Sequence, residues 1–486
     1  MAITIHHVDM HVLNMRTRMP FKYGIAALKA LPHLFVRVQA EIGGRVTSGI
    51  AADGLPPKWF TKNPETDFKH DLDEMFAVIR QAARFAQQAE GMPTVFEWWK
   101  EVYTLQSEWA ENTAYPPLLW GFGVSLVERA VMDAYSRATG VAFPESVRNN
   151  HFGLQLDFFH PELAGREPAE FLPERPLDTV IARHTVGLAD PLDSQELPED
   201  EAVEDGLPQA LDVCVKTYSL THFKIKLAGH PARDVERLLD IAEVLERLGI
   251  REFAFTLDGN EQFRNVDSFK ETWYLLCAEA GLREFMQHAL FVEQPLRRDM
   301  ALSDKAARDL KAWKDRPPIL IDESDGEIES LPLAIDSGYA GSSYKSCKGV
   351  FKGIANACLI EHRRRRNPGG EYILSGEDLA IVGPVSLTQD LAAMAALGIG
   401  HVERNGHHYF AGLSMYPPEI QVRVLAAHPD LYTRHLRGFP TLRIEKGRLR
   451  LDSVLRAPFG YGFDFDPGIF TPLPEWSYAS LSRGEP

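Results

Sequence analysis

Cysteine is scarce in this sequence, which has four cysteines in 486 residues. They stand far apart, and no two of them form a C-x-x-C pair: Cys214, Cys277, Cys347 and Cys358. A zinc ribbon or a disulfide framework needs clustered or regularly spaced cysteines, so both are excluded. The scarcity is typical of a protein from a reducing compartment.

Long hydrophobic runs are absent as well. No apolar stretch reaches the roughly 18 residues that a membrane-spanning helix needs. The first residues, MAITIHHVDMHVLNM, alternate apolar with polar side chains and lack the basic and apolar regions of a signal peptide, so they predict a first β-strand. We therefore expect a cytoplasmic protein with no membrane partner.

Positive charge is in deficit, because 52 lysines and arginines face 68 aspartates and glutamates, for a net charge of −16. An acidic surface repels phosphate backbones, which disfavours a nucleic-acid partner. Neither G-x-x-x-x-G-K-[ST] nor G-x-G-x-x-G occurs, so nothing indicates a nucleotide cofactor. The hydrophobic fraction of 45% is that of an ordinary globular protein.

The spacing of apolar residues changes along the chain. The first sixty residues have strand patterning and residues 66–140 have helical periodicity, which together predict an α+β capping domain over 1–150. After a long Pro-rich loop, short apolar strands alternate eight times with helical stretches. This favours an α/β fold, a TIM-type (β/α) barrel over 179–429. Strand patterning returns in 430–486, which we expect to complete the capping domain.

Charged residues lie at the ends of successive predicted strands. In chain order they are Lys224 and Lys226, Asp258 and Asn260, Glu293, Asp322 and Glu323, and Lys345 and Lys348. The carboxyl ends of barrel strands meet at one mouth, where the active sites of such barrels lie. These side chains, distant in sequence, are therefore predicted to face one another.

Carboxylates from three neighbouring strands would form a cage of oxygen ligands. Such a cage suits a hard divalent cation, Mg²⁺ before Mn²⁺. The spacing of Lys224 and Lys226 puts both side chains on the barrel-interior face of one strand. A positive neighbour and a cation disfavour the ammonium form, so Lys226 is a candidate base, with Lys345 approaching from the opposite side of the mouth.

The chain resembles the enolase superfamily, within it the mandelate racemase and muconate lactonizing enzyme group. The sharpest matches are FKIKL, TLDGNEQF, FVEQPL, LIDES and YKSCKGVFKG, in the family's order and at barrel spacing. The resemblance implies a Mg²⁺-dependent enzyme that abstracts the proton alpha to a carboxylate through an enediolate, the chemistry described for this superfamily.

By position, the resemblance implies that Asp258, Glu293 and Asp322 are the metal ligands, with Glu323 as the alternative to Asp322. Lys226 resembles the base and Lys224 its electrostatic partner. Lys345 resembles the second acid/base, and Lys348 competes with it for that role. The SGEDL stretch of the seventh strand lacks a histidine base, which favours the lysine–lysine pattern of the lactonizing enzymes.

The implied reaction is a racemisation, epimerisation or cycloisomerisation of a small carboxylic acid. A hydroxy-acid dehydratase is the alternative, followed by a Schiff-base lyase and by a non-catalytic relative. Five further residues are candidates for substrate or supporting contacts, namely Asn260, Tyr23, Phe21, Glu403 and His407. The histidines near the eighth strand (His401, His407 and His408) have no spacing typical of structural zinc. The sequence does not determine the oligomeric state, and the aromatic stretch 95–120 is the candidate contact of a homo-oligomer.

Overall fold

The computed structural model describes residues 2–23 and 26–482, with only the backbone of residues 23 and 26. In this part of the chain, no helix is both long and apolar enough to cross a bilayer.

The N-terminal part is an antiparallel sheet of three long strands, as predicted: β1 (Ile3–Tyr23), β2 (Ala26–Ile42) and β3 (Arg45–Gly54). Alternating apolar residues put one sheet face in the core, where Val36 and Val38 are fully buried. The tight turn between β2 and β3 uses Gly43 and Gly44, both with positive φ, a conformation that glycine adopts without strain.

Four helices follow this sheet, α1 (Pro57–Phe60), α2 (Phe68–Gln88), α3 (Val95–Ala110) and α4 (Pro117–Thr139). Helices α2 and α4 pack on its buried face, and α3 packs on α2 and α4. The contact with β3 is close, because a Cβ built on Gly49 would lie 2.1 Å from the carbonyl oxygen of Ala130. Trp98 and Trp99 on α3 are buried inside this core. These two tryptophans therefore serve internal packing and not a subunit contact.

The Pro-rich segment after α4 is more structured than the predicted loop. It contains two short helices, α5 (Phe143–Arg148) and α6 (Leu156–Phe159). Their aromatic residues Phe143 and Phe159 are buried, and Pro144 occupies the first turn of α5, where its missing N–H has no cost. Burial of these rings, which a Pro-rich composition does not reveal, orders the segment.

Eight parallel strands then close into a barrel, which confirms the predicted fold class. They are β4 (Thr179–Val186), β5 (His222–Lys226), β6 (Ala254–Asp258), β7 (Ala289–Glu293), β8 (Ile319–Ile321), β9 (Gly341–Tyr344), β10 (Ile373–Gly376) and β11 (His401–Arg404). Pairing of β11 with β4 closes the ring.

The helices that alternate with these strands have the following bounds: α7 (Leu211–Tyr218), α8 (Pro231–Arg247), α9 (Val266–Ala278), α10 (Arg298–Ala301), α11 (Asp304–Ala312), α12 (Ser330–Ser337), α13 (Val350–Arg366), α14 (Ser386–Ala396), α15 (Gly406–Tyr409) and α16 (Pro418–Ala427). The basic run Arg363–Arg366 forms the last turn of α13, where cations interact favourably with the helix dipole.

The C-terminal segment contacts both parts of the molecule. It contains a hairpin of β12 (Tyr432–Arg434) and β13 (Pro440–Leu442), strand β14 (Arg448–Arg450), helix α17 (Asp452–Arg456) and strand β15 (Thr471–Pro472). Strand β14 pairs with β4 of the barrel, whereas β15 pairs with β1 of the N-terminal sheet. The segment therefore ties the barrel to the N-terminal part, which we call the cap.

Candidate active site

Strand register brings the predicted residues to one level of the barrel. Lys226 pairs with Asp258 across β5 and β6, and Asp258 pairs with Glu293 across β6 and β7. Asp322 follows β8 directly, and Lys345 follows β9. Because residues in register on parallel strands point to the same face, their side chains meet in the barrel mouth.

Lys224 lies at the centre of this group. Its Nζ is 2.6 Å from Oε2 of Glu293 and 3.0 Å from Oδ2 of Asp258. It also lies 2.7 Å from Oε2 of Glu377 and 2.9 Å from Oε2 of Glu403. One fully buried ammonium therefore joins carboxylates from four strands.

The other two candidate catalytic lysines come from opposite sides of the barrel, since β5 and β9 are four strands apart in a ring of eight. Nζ of Lys226 lies 2.6 Å from Oδ2 of Asp258. Nζ of Lys345 lies 2.5 Å from Oδ2 of Asp322 and 3.9 Å from Oε1 of Glu293. The carboxylates of β6, β7 and β8 therefore lie between two lysines that face each other.

Lys348 reaches the same carboxylate as Lys345. Its Nζ is 3.1 Å from Oδ1 of Asp322, 2.9 Å from Oγ of Ser343 and 3.4 Å from Oδ2 of Asp325. Lys345 in contrast lies beneath the ring of Trp59, 4.5 Å from its centroid, and lines the cavity described below. This difference favours Lys345 as the residue that faces a ligand.

Asn260 and Glu323 form the remaining edge of the mouth. Nδ2 of Asn260 donates to Oε1 of Glu323 at 3.3 Å, and its backbone N–H donates to Oδ1 of Asp258 at 2.8 Å. Asn260 therefore orients two carboxylates, as its position after β6 suggests.

The charges perturb one another strongly. Burial by itself lowers the pKa of Lys224, but the adjacent Asp258 and Glu293 outweigh it and raise that pKa well above its usual value. Burial also lowers the pKa of Lys345, whereas Asp322 and Glu293 raise it to a value above the ordinary range. Both ammonium groups are thus held charged by the carboxylates they contact.

The carboxylates show the converse perturbation. Burial and the nearby Asp258 raise the pKa of Glu293 well above its usual value, and burial and Asp322 raise the pKa of Glu323 to about 7. Burial also acts to raise the pKa of Asp322, but the adjacent lysines lower it well below its usual range. The site thus contains more buried negative charge than its lysines compensate.

These residues fit a divalent cation. Oε2 of Glu293 is paired with the ammonium of Lys224, whereas Oε1 of Glu293 and Oε2 of Glu323 accept no hydrogen bond from a described residue. Hard cations take carboxylate oxygens as ligands, and a cation here would relieve the repulsion among the buried acids. Asp258 and Glu293 contact Lys224, and Glu293 and Asp322 lie beside Lys345, so the neighbouring strands β6, β7 and β8 each supply one of these carboxylates.

A narrow cavity separates this mouth from the cap. Lys226, Lys345 and Lys224 form its floor, and its other walls are Asn260, Asn405, Asp378, Leu379, Ala380, Phe21, Leu28, Pro56 and Trp59. The cap is fixed over the mouth by Arg298, which donates to the carbonyl oxygens of Trp59 and Phe60 at 2.9 and 2.8 Å. A small ligand in this cavity would contact lysines on one side and apolar cap residues on the other.

Sequence reasoning missed Glu377, Asp378 and Arg183. Glu377 lies between Lys224 and Arg183, whose guanidinium donates to its Oε1. Asp378 borders the cavity. Glu377 and Asp378 also follow a predicted strand, in SGEDL, so the pattern of charged residues at strand ends could have identified them. Nothing in the sequence singles out Trp59.

Four of the predicted supporting residues have distinct outcomes. Glu403 lies in the network, where Oε1 accepts from Oγ1 of Thr185 at 2.6 Å. His407 does not reach this cavity, because the turn after β11 directs it towards His184 and a second cavity. The side chain of Tyr23 lies outside the described residues, whereas Phe21 stacks on Tyr409 with ring centroids 4.0 Å apart.

No family model and no curated protein sequence matches the chain. Solved structures do match over nearly the whole length. A mandelate racemase/muconate lactonizing protein from Herpetosiphon aurantiacus has a TM-score of 0.58 and 16% identity, covering 95% of this chain and 99% of that chain. A muconate lactonizing enzyme from Pseudomonas fluorescens, complexed with muconolactone, has a TM-score of 0.59 and 14% identity, covering 97% and 100%.

A dipeptide epimerase from Enterococcus faecalis, complexed with Mg and the dipeptide L-Leu-L-Tyr, has a TM-score of 0.58 and 14% identity, covering 95% of this chain and 100% of that chain. These likenesses show that the chain has the fold of mandelate racemase/muconate lactonizing proteins of the enolase superfamily. The fold that the sequence motifs predicted is thereby confirmed.

Proposed function

We propose that the protein is an enzyme of the enolase superfamily that removes and returns the proton alpha to the carboxylate of a small acid. The observation that carries this proposal is the opposition of Lys226 and Lys345 across a mouth lined by buried carboxylates. Two amines on opposite faces of one carbon permit removal of a proton from one side and its return from the other.

Each lysine has a separate role. Lys226 and Lys345 are the two acid/base groups, because both line the cavity from the floor. Lys224 also touches the cavity but is held by four carboxylates, so its role is to balance their charge. An anionic substrate entering the cavity would meet lysine side chains on its floor, and a bound cation would offset the surplus of buried carboxylates, which together favour carboxylates over neutral compounds.

Asp258, Glu293 and Asp322 would hold Mg²⁺, with Mn²⁺ as a substitute. The bound cation would supply stabilisation of the negative charge that develops on the substrate carboxylate when the proton leaves. Glu323, which Asn260 orients, supports this set from the neighbouring position.

The reaction class is an isomerisation, by racemisation, epimerisation or cycloisomerisation. The opposed lysines favour it, and the compared structures include a lactonizing enzyme and a dipeptide epimerase. The apolar cap wall of Phe21, Leu28 and Trp59 favours a substrate whose part remote from the carboxylate is hydrophobic.

The proposal is tested by incubating the full chain with Mg²⁺ in D₂O and panels of dipeptides, N-acyl amino acids and acid sugars. We expect proton NMR to show loss of the alpha-proton signal from at least one acid without loss of water from it. Exchange that is unchanged after Lys226→Ala and Lys345→Ala substitution, or that persists fully in EDTA, would contradict the proposal. Loss of a hydroxyl group together with exchange would indicate a dehydratase.

A further inference from the structure

A second cluster of metal-binding side chains lies outside the barrel mouth. In β4, Arg183 and Thr185 point into the barrel, where they contact Glu377 and Glu403. Because side chains alternate along a strand, His184 between them points outward to the helix layer. There it meets Cys214 on α7 and His408 on α15.

The geometry of this cluster suits one metal ion. One potential ligand atom from each of His184, Cys214 and His408 lies within 4.8 Å of the others, and all three residues are buried. Sγ of Cys214 is 3.8 Å from Nδ1 of His408. With metal–sulfur and metal–nitrogen distances of about 2.3 and 2.05 Å, a tetrahedral zinc site separates sulfur from nitrogen by about 3.6 Å, close to this value.

The surroundings of the cluster also resemble those of a metal site. Nε2 of His408 lies 3.7 Å from Oδ2 of Asp190, and metal-bound histidines usually direct their second nitrogen to a carboxylate. Asp190 is itself fixed by the backbone N–H of Gly187 at 2.7 Å and the hydroxyl of Tyr409 at 2.6 Å.

A third histidine, His407, lies beside this cluster. Nδ1 of His184 lies 3.3 Å from Nε2 of His407, a contact that fixes the orientation of the His184 ring. Nδ1 of His407 is buried and has no hydrogen-bond partner among the described residues.

We propose that His184, Cys214 and His408 bind one divalent cation of the zinc type, at a site separate from the carboxylates of the barrel mouth. Two imidazoles and one thiolate are ligands that zinc prefers to hard oxygen donors, so Mg²⁺ would not compete. Binding replaces the S–H bond of Cys214 with a sulfur–metal bond and releases one proton to solvent. The thiolate and Asp190 then neutralise the two charges of the cation.

The electrostatics favour neutral imidazole ligands but oppose a free thiolate: burial and the nearby Asp190 raise the pKa of the Cys214 thiol above its usual range, so that thiol loses its proton only when the cation binds. Burial and the neighbouring His408 lower the pKa of His184 well below its usual value, so its lone pair is free of a competing proton. The site was missed in the sequence because its ligands come from β4, α7 and α15, with no short spacing to connect them.

The test uses the full chain, stripped of metal with a chelator and then titrated with Zn²⁺ or Co²⁺ in the presence of excess Mg²⁺. We expect about one equivalent of Zn²⁺ to remain bound after gel filtration. We expect Co²⁺ to produce a thiolate-to-metal charge-transfer band and visible tetrahedral transitions. The band should disappear in Cys214→Ser and remain in the control Cys358→Ser, another fully buried cysteine.

Glu293→Gln should also retain the band, because that residue belongs to the other site. If Cys214→Ser does not fold, His408→Gln, checked by circular dichroism, should lose the Zn²⁺-dependent rise in melting temperature that the wild type shows. A wild-type protein without the charge-transfer band, or a band that persists in Cys214→Ser, overturns the proposal.

Discussion

Lys224→Met is the substitution that tests the charge arrangement of the barrel mouth most sharply. Methionine is similar in length to lysine and keeps the apolar stem, but it removes the positive charge. Lys224 contacts Asp258, Glu293, Glu377 and Glu403 at 2.6 to 3.0 Å and is fully buried. Its loss therefore leaves several buried carboxylates without their shared partner.

The expected cost follows from these contacts. Removing one member of a buried ion pair costs about 3–5 kcal/mol, because the remaining charge stays buried without compensation. Asp258 still has Lys226 at 2.6 Å, and Glu377 still has Arg183. The carboxylates left without a positively charged partner are therefore mainly Glu293 and Glu403. We expect Lys224→Met to lower the free energy of unfolding by about 3–5 kcal/mol in EDTA. Saturating Mg²⁺ should restore part of this loss.

The measurement is urea denaturation followed by far-UV circular dichroism, with and without Mg²⁺. Lys305→Met is the matched control, since Lys305 forms an exposed pair with Asp309 and its removal should not change the urea midpoint measurably. A loss of under about 1 kcal/mol in Lys224→Met, the size of a surface ion pair, would refute the reasoning. Equal effects of Mg²⁺ on wild type and variant would refute the predicted rescue.

Three further results are expected. Mg²⁺ at a hundred times its dissociation constant should stabilise the wild type by about 2.7 kcal/mol, seen as a rise in melting temperature. Glu293→Gln should abolish this Mg²⁺-dependent rise, and an unchanged rise contradicts the proposed ligand set. Asp322→Asn should weaken Mg²⁺ binding in calorimetry more than Glu323→Gln, and the reverse order would make Glu323 the ligand. Burial raises the pKa of Glu128 to about 7, above the unfolded value near 4.5, so its stabilising contribution is complete below pH 4.5 and declines through pH 7. The urea midpoint of the wild type should therefore fall relative to that of Glu128→Gln between pH 5 and pH 8. A difference between the two midpoints that stays constant with pH would contradict this prediction.

Much of the fold was predictable because barrel strands are buried on both faces. Most such strands appear in the sequence as short apolar runs, and five successive ones, β5 to β9, end at or next to a charged residue. Strand register then brought Lys226, Asp258 and Glu293 together, as their spacing of one strand–helix unit each predicted. The ordered segment after α4 was missed, because its order depends on burial of Phe143 and Phe159 by other parts of the chain.

The site residues were predictable only where a charged side chain follows a predicted barrel strand. The position of Trp59 over Lys345 depends on how the cap sits, which Arg298 controls through backbone carbonyls. The choice between Lys345 and Lys348 also needed the structure, since a single 3₁₀ turn over Ser346–Lys348 brings both to Asp322. Sequence spacing gives no information on such contacts.

The central claim is that Lys226 and Lys345 act on opposite faces of one substrate carbon. With an acid identified by the D₂O screen, the most direct measurement follows alpha-deuterium incorporation into each pure stereoisomer, in wild type and in both alanine variants. The account predicts that Lys226→Ala loses exchange of one stereoisomer and Lys345→Ala loses exchange of the other, while the wild type exchanges both. Exchange of both stereoisomers in either variant would contradict it.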